Sequence, residues 1–186
     1  QLVPDASTKA FAEFNSEQNK YYIFWNENDP ISIFKESNLN RKYIFDGFDG
    51  APSGTFTESE EGSDASGSDP IETGYQYAIF PYDKKFNSCT QFGALTVMIP
   101  AEQSVHDGDT PGVGARIFMV ARDTEGDFSF KHVGSYIAAT LKGEGVSVAS
   151  ISFRGNNSEI MAGLSTVTFD DNGEPVAVFE SKYARY

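Results

Sequence analysis

The sequence predicts an all-β fold, a sandwich or barrel, on three observations. Short aromatic or β-branched runs recur along the chain, separated by Gly, Pro, Asn, Asp and Ser clusters that supply turns. Several runs alternate apolar and polar residues, the pattern of a strand with one face on a core and the other in water. No stretch of about 12 residues or more carries a convincing helical period. About a dozen strands with turns every ~8–12 residues read as a sandwich or barrel.

The elements follow in order. Thr8–Phe14 is the first candidate strand, and Tyr21–Trp25 is an aromatic run ending on the sole Trp. The turn Asn26-Glu27-Asn28-Asp29-Pro30 leads into Ile31–Phe34, which puts Ile31 and Ile33 on one face. This pairing reads as a hairpin with Trp25 in the core. Lys42–Phe45 precedes Asp46-Gly47-Phe48-Asp49-Gly50, where each Asp-Gly is a turn signature because Gly adopts positive φ without steric cost. Thr55–Thr57 is short. Tyr75–Phe80 stops at Pro81, which cannot donate to a ladder. Ala94–Ile99, Arg116–Arg122, Asp127–Phe130 and Tyr136–Leu141 come next, the last favouring strand over a short helix by its β-branched and aromatic content. Val146–Phe153, Ile160–Phe169 and Val176–Glu180 complete the series.

Glu58 to Asp69 holds no apolar residue larger than alanine, so burial cannot offset its ordering entropy. A mobile acidic surface loop is expected at about 57–73. Asp107–Gly112 is a second turn-rich loop. With no fixed-period repeat and no dividing linker, residues 1–186 are expected to form a single domain.

Lys and Arg number 14 against 27 Asp and Glu, leaving a net charge of −13. That balance argues against a phosphate-backbone partner, since no basic patch is available to displace counterions. No apolar run approaches the ~18 residues of a membrane-spanning helix. The chain opens on Gln1 and reads as a mature or trimmed form, with any targeting segment or lipid-anchor cysteine upstream. Cys89 is the only cysteine, which excludes an internal disulfide and reads as a small, partly buried side chain.

Chemistry-bearing constellations are sparse. Glu58, Glu60, Glu61, Asp64 and Asp69 offer oxygen ligands for a hard cation such as calcium. They lack the spacing of a calcium-binding loop, and a solvated loop is the plainer reading. Asp46 and Asp49 form a carboxylate pair of low specificity for glycoside hydrolysis. His106 and His132 are too few for a His-rich metal site, and no G-x-S-x-G turn accompanies them. Gly112-Val113-Gly114 lacks the remaining spacing of a phosphate loop. Asn156-Asn157-Ser158 matches a glycosylation tripeptide of the kind that arises by chance. No catalytic residue, cofactor or metal is assigned on these grounds, and the chain reads as non-enzymatic.

An ordered set of motifs carries a resemblance. Trp25, Asp29, Ile31 and Phe34 come first, then Gly54 and Phe56, then Tyr77-Ala78-Ile79-Phe80-Pro81-Tyr82. Ile99-Pro100-Ala101-Glu102-Gln103, Phe118-Met119-Val120-Ala121 and Phe128-Ser129-Phe130-Lys131-His132-Val133 follow, and Val148–Phe153 with Met161-Ala162-Gly163 close the set. Across nearly the whole chain this resembles the N-terminal domain of fimbrillin-like proteins, the pilin subunits of Bacteroidetes-type fimbriae. The resemblance implies a transthyretin-like Greek-key β-sandwich, export as a lipoprotein and display at the cell surface, in the fimbrium or on the outer membrane. It also implies a second domain after residue 186 and polymerisation by β-strand addition between subunits. In this scheme loss of an N-terminal strand opens a groove that a neighbour fills, and Ala10, Ala12 and Phe14 are the expected strand-exchange positions. The family's cleavage after an N-terminal arginine has no counterpart, because no Arg precedes Arg41. Cleavage has already occurred, or maturation differs, or the chain is an accessory subunit.

The expected function is therefore a structural or adhesive fimbrial subunit. Its partners would be other fimbrial subunits, with host or bacterial surface ligands for an adhesive member. The alternative is a secreted carbohydrate-binding β-sandwich module, which requires aromatic rings exposed to stack on sugars.

Overall fold

The computed structural model describes residues 11–15, 17, 20–62, 69–101, 118–134, 142–145, 147–152, 156–157 and 159–180. Among them lie twelve strands: β1 (Phe11–Asn15), β2 (Lys20–Phe24), β3 (Pro30–Phe34), β4 (Arg41–Asp46), β5 (Thr55–Glu58), β6 (Gln76–Phe80), β7 (Ser88–Cys89), β8 (Leu95–Ile99), β9 (Met119–Asp123), β10 (Lys131–His132), β11 (Gly163–Phe169) and β12 (Pro175–Phe179). They form a six-stranded sheet in the order β10-β9-β6-β3-β4-β5, a four-stranded sheet in the order β12-β11-β8-β7, and the separate hairpin β1-β2. All the pairings are antiparallel. The result is a sandwich-like, all-β domain.

Strand alternation explains how the two layers meet. Phe34, Tyr77, Ile79 and Val120 of the six-stranded sheet pack with Cys89, Leu95, Val97 and Val167 of the four-stranded sheet, forming the core between them. Their neighbours Ile31, Ile33, Ala78, Phe80, Met119 and Ala121 point the other way and join Trp25, Tyr43 and Phe45 in a second cluster. The six-stranded sheet is thus buried on both faces at its central strands β3, β6 and β9. Its central strands read as unbroken apolar runs for that reason, as in Tyr77-Ala78-Ile79-Phe80, all buried.

Trp25 anchors the second cluster. Its backbone N–H donates to Ala51 O at 2.8 Å just after β2, and the residue is 7% exposed. Phe45 stacks at 6.1 Å, while Phe56, Phe80 and Phe130 meet it edge-on at 5.1–5.2 Å. Each such aromatic pair adds about 0.5–1.5 kcal/mol beyond area burial. Trp25 packs in the core as expected, but the expected hairpin across the 26–30 turn does not form: β2 pairs with β1, and β3 pairs with β4 and β6 in the six-stranded sheet. Asn28 completes the turn at φ 66°, a left-handed conformation that Asn tolerates. The Asp29 carboxylate accepts from Asn26 N–H at 2.8 Å, and the Asp29 carbonyl accepts from Phe45 N–H at 2.9 Å.

Two expected strands are not strands. Asp127–Phe130 has no ladder partner among the described residues. Asp123 captures the backbone N–H groups of Glu125, Gly126 and Asp127 at 2.7–3.1 Å, diverting the chain into a turn. Phe128 and Phe130 still pack on the second cluster from this irregular segment. Residues 147–152 are likewise outside any strand. Val148 is 56% and Ile151 48% exposed, so their alternation meets no covering layer. The expected strand Tyr136–Leu141 lies outside the described residues. β7, only two residues long, was not expected.

Candidate functional site

The sequence-nominated residues fall in separate places. Ala12 sits opposite Ile23 and Phe14 opposite Tyr21 in the β1-β2 ladder, while Ala10 lies outside the described residues. Glu58 ends β5 and is held there, accepting from Arg41 Nη1 at 2.7 Å and from Tyr43 Oη at 2.9 Å. The Arg41 hydrogen bond keeps its carboxyl below the usual range. Glu60 and Glu61 are exposed, and Asp64 is outside the described residues. The flanks of the acidic loop are tied down: Asn38 N–H donates to Asp69 O, Ile71 N–H to Glu36 O, and the Tyr82 hydroxyl to Gly62 O. Among the described residues no group of three or more His, Cys, Asp or Glu is arranged to hold a metal ion.

Asp49 accepts from Glu27 N–H at 2.9 Å, a turn-bracing role, and Asp46 is an exposed strand end. His132 lies in β10, where burial lowers its pKa. His106 and the Gly112-Val113-Gly114 segment are outside the described residues. Cys89 is buried, and burial pushes its thiol up to about 12.

Two features remain as candidate interaction surfaces. The first is a cavity of about 800 Å³ on the outer side of the second cluster. Buried Trp25, Ile33, Tyr43 and Met119 contribute to its lining, with Pro52–Phe56 and Glu125–Phe130 around them. Its polar groups include Lys35, Gln76, Glu125 and Asp127. The Lys35 ammonium sits 4.9 Å from the Tyr43 ring centre, a cation–π contact. Burial raises the Tyr43 pKa above the ordinary phenol value.

The second is the outer edge of β12. Glu180 N–H donates to Leu164 O at 2.9 Å, which marks a hydrogen-bonded pair in the β11-β12 register. Antiparallel ladders alternate, so Val178 and Val176 also direct their backbone groups at β11. Ala177 and Phe179 then direct N–H and C=O to the open edge, joined by the carbonyl of Pro175. No strand pairs with that edge among the described residues. Val176 and Val178 are 46% and 65% exposed beside it. Sequence reading placed a strand here but could not tell that it lies at an edge, because edge position depends on partners remote in sequence.

No protein-family model matches the chain, and no curated protein or solved structure compared with it does either.

Proposed function

We propose that this chain is a structural or adhesive subunit of cell-surface fimbriae, exported to the outer surface and joined to neighbouring subunits by β-strand addition. The observation that carries the reading is the β12 edge, five residues long, uncharged and unpaired among the described residues. An extended segment from a neighbour gains main-chain hydrogen bonds there and packs against the apolar side chains of β12. The motif order supports the same assignment, and a transthyretin-like Greek-key connectivity belongs to it. So does the hairpin: β1, with Ala12 and Phe14, has β2 as its only ladder partner among the described residues. Trimming β1 therefore breaks no described ladder of either main sheet. The reading assigns no catalytic step and no cofactor.

The test is the size distribution of the native protein before and after mild trypsin, together with an Ala177→Pro variant. Pro at 177 removes an N–H that faces the open edge, so the fold tolerates it while strand addition loses a central donor. SDS-resistant ladders that appear on trimming and weaken in Ala177→Pro support the proposal. A trimmed protein that stays monomeric overturns it.

A second reading, carbohydrate binding, is favoured by one observation. The cavity brings partly buried Phe56, Phe128 and Phe130 beside Gln76, Glu125 and Asp127, the mixture of rings and polar groups that holds a sugar. Trp25 is too buried to serve as a stacking platform. Binding on a glycan array that disappears in Phe128→Ala supports this reading, and silence across the array removes it.

A further inference from the structure

Exposed edges are ordinarily blunted, and three of the four edges of the main sheets are. β7 and β10 are two residues long. β5 is polar and ends on Glu58, tied to Arg41 and Tyr43. Among the described residues β12 alone has neither shortness nor charge to guard it, an arrangement that invites pairing. At the turn side the Lys131 ammonium donates to Gly173 O at 3.1 Å, which closes the edge before Pro175. Among the described residues the open groups are therefore those of Pro175–Phe179.

This segment is self-complementary. We propose that subunits not yet assembled close this edge on each other, β12 of one copy pairing antiparallel with β12 of a second copy about a two-fold axis at Ala177. The proposal rests on the strand-addition reading of the same edge and names its partner in the unassembled state. On that axis each Ala177 exchanges both backbone hydrogen bonds with its counterpart. Phe179 N–H then donates to Pro175 O of the other copy, so the missing N–H of Pro175 leaves no donor unsatisfied. Val176 of each copy faces Val178 of the other, bringing four exposed valines together as cross-strand pairs. Two four-stranded sheets become one eight-stranded sheet. Charge points to the same contact: with a net charge of −13, two copies approach best along an uncharged strand. The register also places Glu174 opposite Glu180 of the other copy. Glu174 is already paired with Lys131 at 2.5 Å, which leaves Glu180 as the repelling group.

The contact is small, so the dimer is weak, concentration-dependent and strengthened by salt. Glu180→Gln should raise the association constant by about three- to tenfold, the range expected on relieving two like-charge cross-strand pairs. The decisive test is register-specific. Val176→Cys and Val178→Cys are made as separate full-chain variants and oxidised alone and as an equal mixture, in ~0.5 M NaCl where the Debye length is about 4 Å. Positions 176 and 178 of opposite copies lie ~4.5 Å apart between Cα atoms, within disulfide reach. Like positions lie about 8 Å apart, beyond the ~7 Å limit. Buried Cys89 stays out of the reaction. A disulfide-linked dimer in the mixture, with neither variant linking alone, supports the proposal. Equal linking in the single variants overturns the register. No linking in the mixture, with only monomer in sedimentation at high concentration, overturns the pairing. Ladder formation by the native protein is scored separately: ladders without the dimer sink only the self-pairing, and the dimer without ladders sinks only the fimbrial reading.

Discussion

Gly54 is exposed, and exposed substitutions away from special features usually change stability by no more than about 0.5 kcal/mol. Here the structure predicts otherwise. A Cβ at position 54 would lie 2.6 Å from Cε2 and 2.8 Å from Cζ of Phe45, and one at Gly47 would lie 2.4 Å from Cε1 on the other side of the ring. Phe45 is 1% exposed and its ring is packed against Trp25 and Phe56, so moving it disturbs those contacts. Gly54→Ala therefore acts as overpacking of the second cluster, costing about 1–3 kcal/mol. Urea unfolding followed by the fluorescence of Trp25, the only tryptophan, measures both the loss and the changed ring packing. The control is Phe45→Leu, which removes the ring atoms the new methyl would meet. The two changes should be less damaging together than their sum, with a coupling of at least ~0.5 kcal/mol. A cost below that figure for Gly54→Ala, or strict additivity with Phe45→Leu, would refute the packing argument.

Three further outcomes follow from the buried and charged groups. Asn87 is 3% exposed and donates to Ser32 Oγ at 3.0 Å and Pro81 O at 2.9 Å, so Asn87→Ala should cost about 1–3 kcal/mol by denaturant melt. Cys89 has its pKa raised by burial from 9.0 to about 12, so its contribution is intact below pH 9 and is lost as pH rises through 12. Cys89→Ala should flatten part of that alkaline decline, leaving the share of Tyr43 and Tyr77, both also raised by burial. Glu58 is depressed, chiefly by Arg41, so its stabilisation is present above the ordinary carboxylate range and fades as pH falls through its lowered value. With both side chains substantially exposed, Glu58→Gln should cost at most about 1 kcal/mol at neutral pH and less in high salt.

Sequence reading succeeded where local pattern and burial agree. Ile31–Phe34, Lys42–Phe45, Tyr75–Phe80 and Ala94–Ile99 each match an observed strand to within a residue or so at either end, because β-branched and aromatic content and flanking turns coincide there with burial, on both faces in β3 and β6 and on alternate residues in β4 and β8. It failed where a side chain overrode the pattern, as Asp123 does by drawing three amides out of the Asp127–Phe130 run. It failed again at residues 147–152, where alternation is present and a covering layer is not. Neither interaction surface was readable as such. The cavity joins Pro52–Phe56 to Glu125–Phe130 across the sheet, a separation no motif spans, and the β12 edge exists only because the β11 pairing fills one side of that strand.

The acidic composition acquires a physical role once the open edge is placed. An apolar strand with unpaired backbone groups is an aggregation hazard whenever any other strand can reach it. Long-range repulsion between copies carrying −13 slows such encounters without occupying the edge, and it weakens with distance over about 8–10 Å at ordinary ionic strength. A partner strand that arrives in the right register gains short-range hydrogen bonds and valine contacts that repulsion screened at this distance does not cancel. Charge thus discriminates by range: it disfavours loose, unregistered association and leaves registered pairing available. Surplus negative charge must then stay off β12 itself, and Pro175-Val176-Ala177-Val178-Phe179 carries none between Glu174 and Glu180. Placing one there, as in Val178→Glu, should leave the monomer folded, since Val178 is 65% exposed, and abolish every association that uses this edge. Sedimentation at matched concentration and salt checks it, and association undiminished in Val178→Glu would place the contact elsewhere on the molecule.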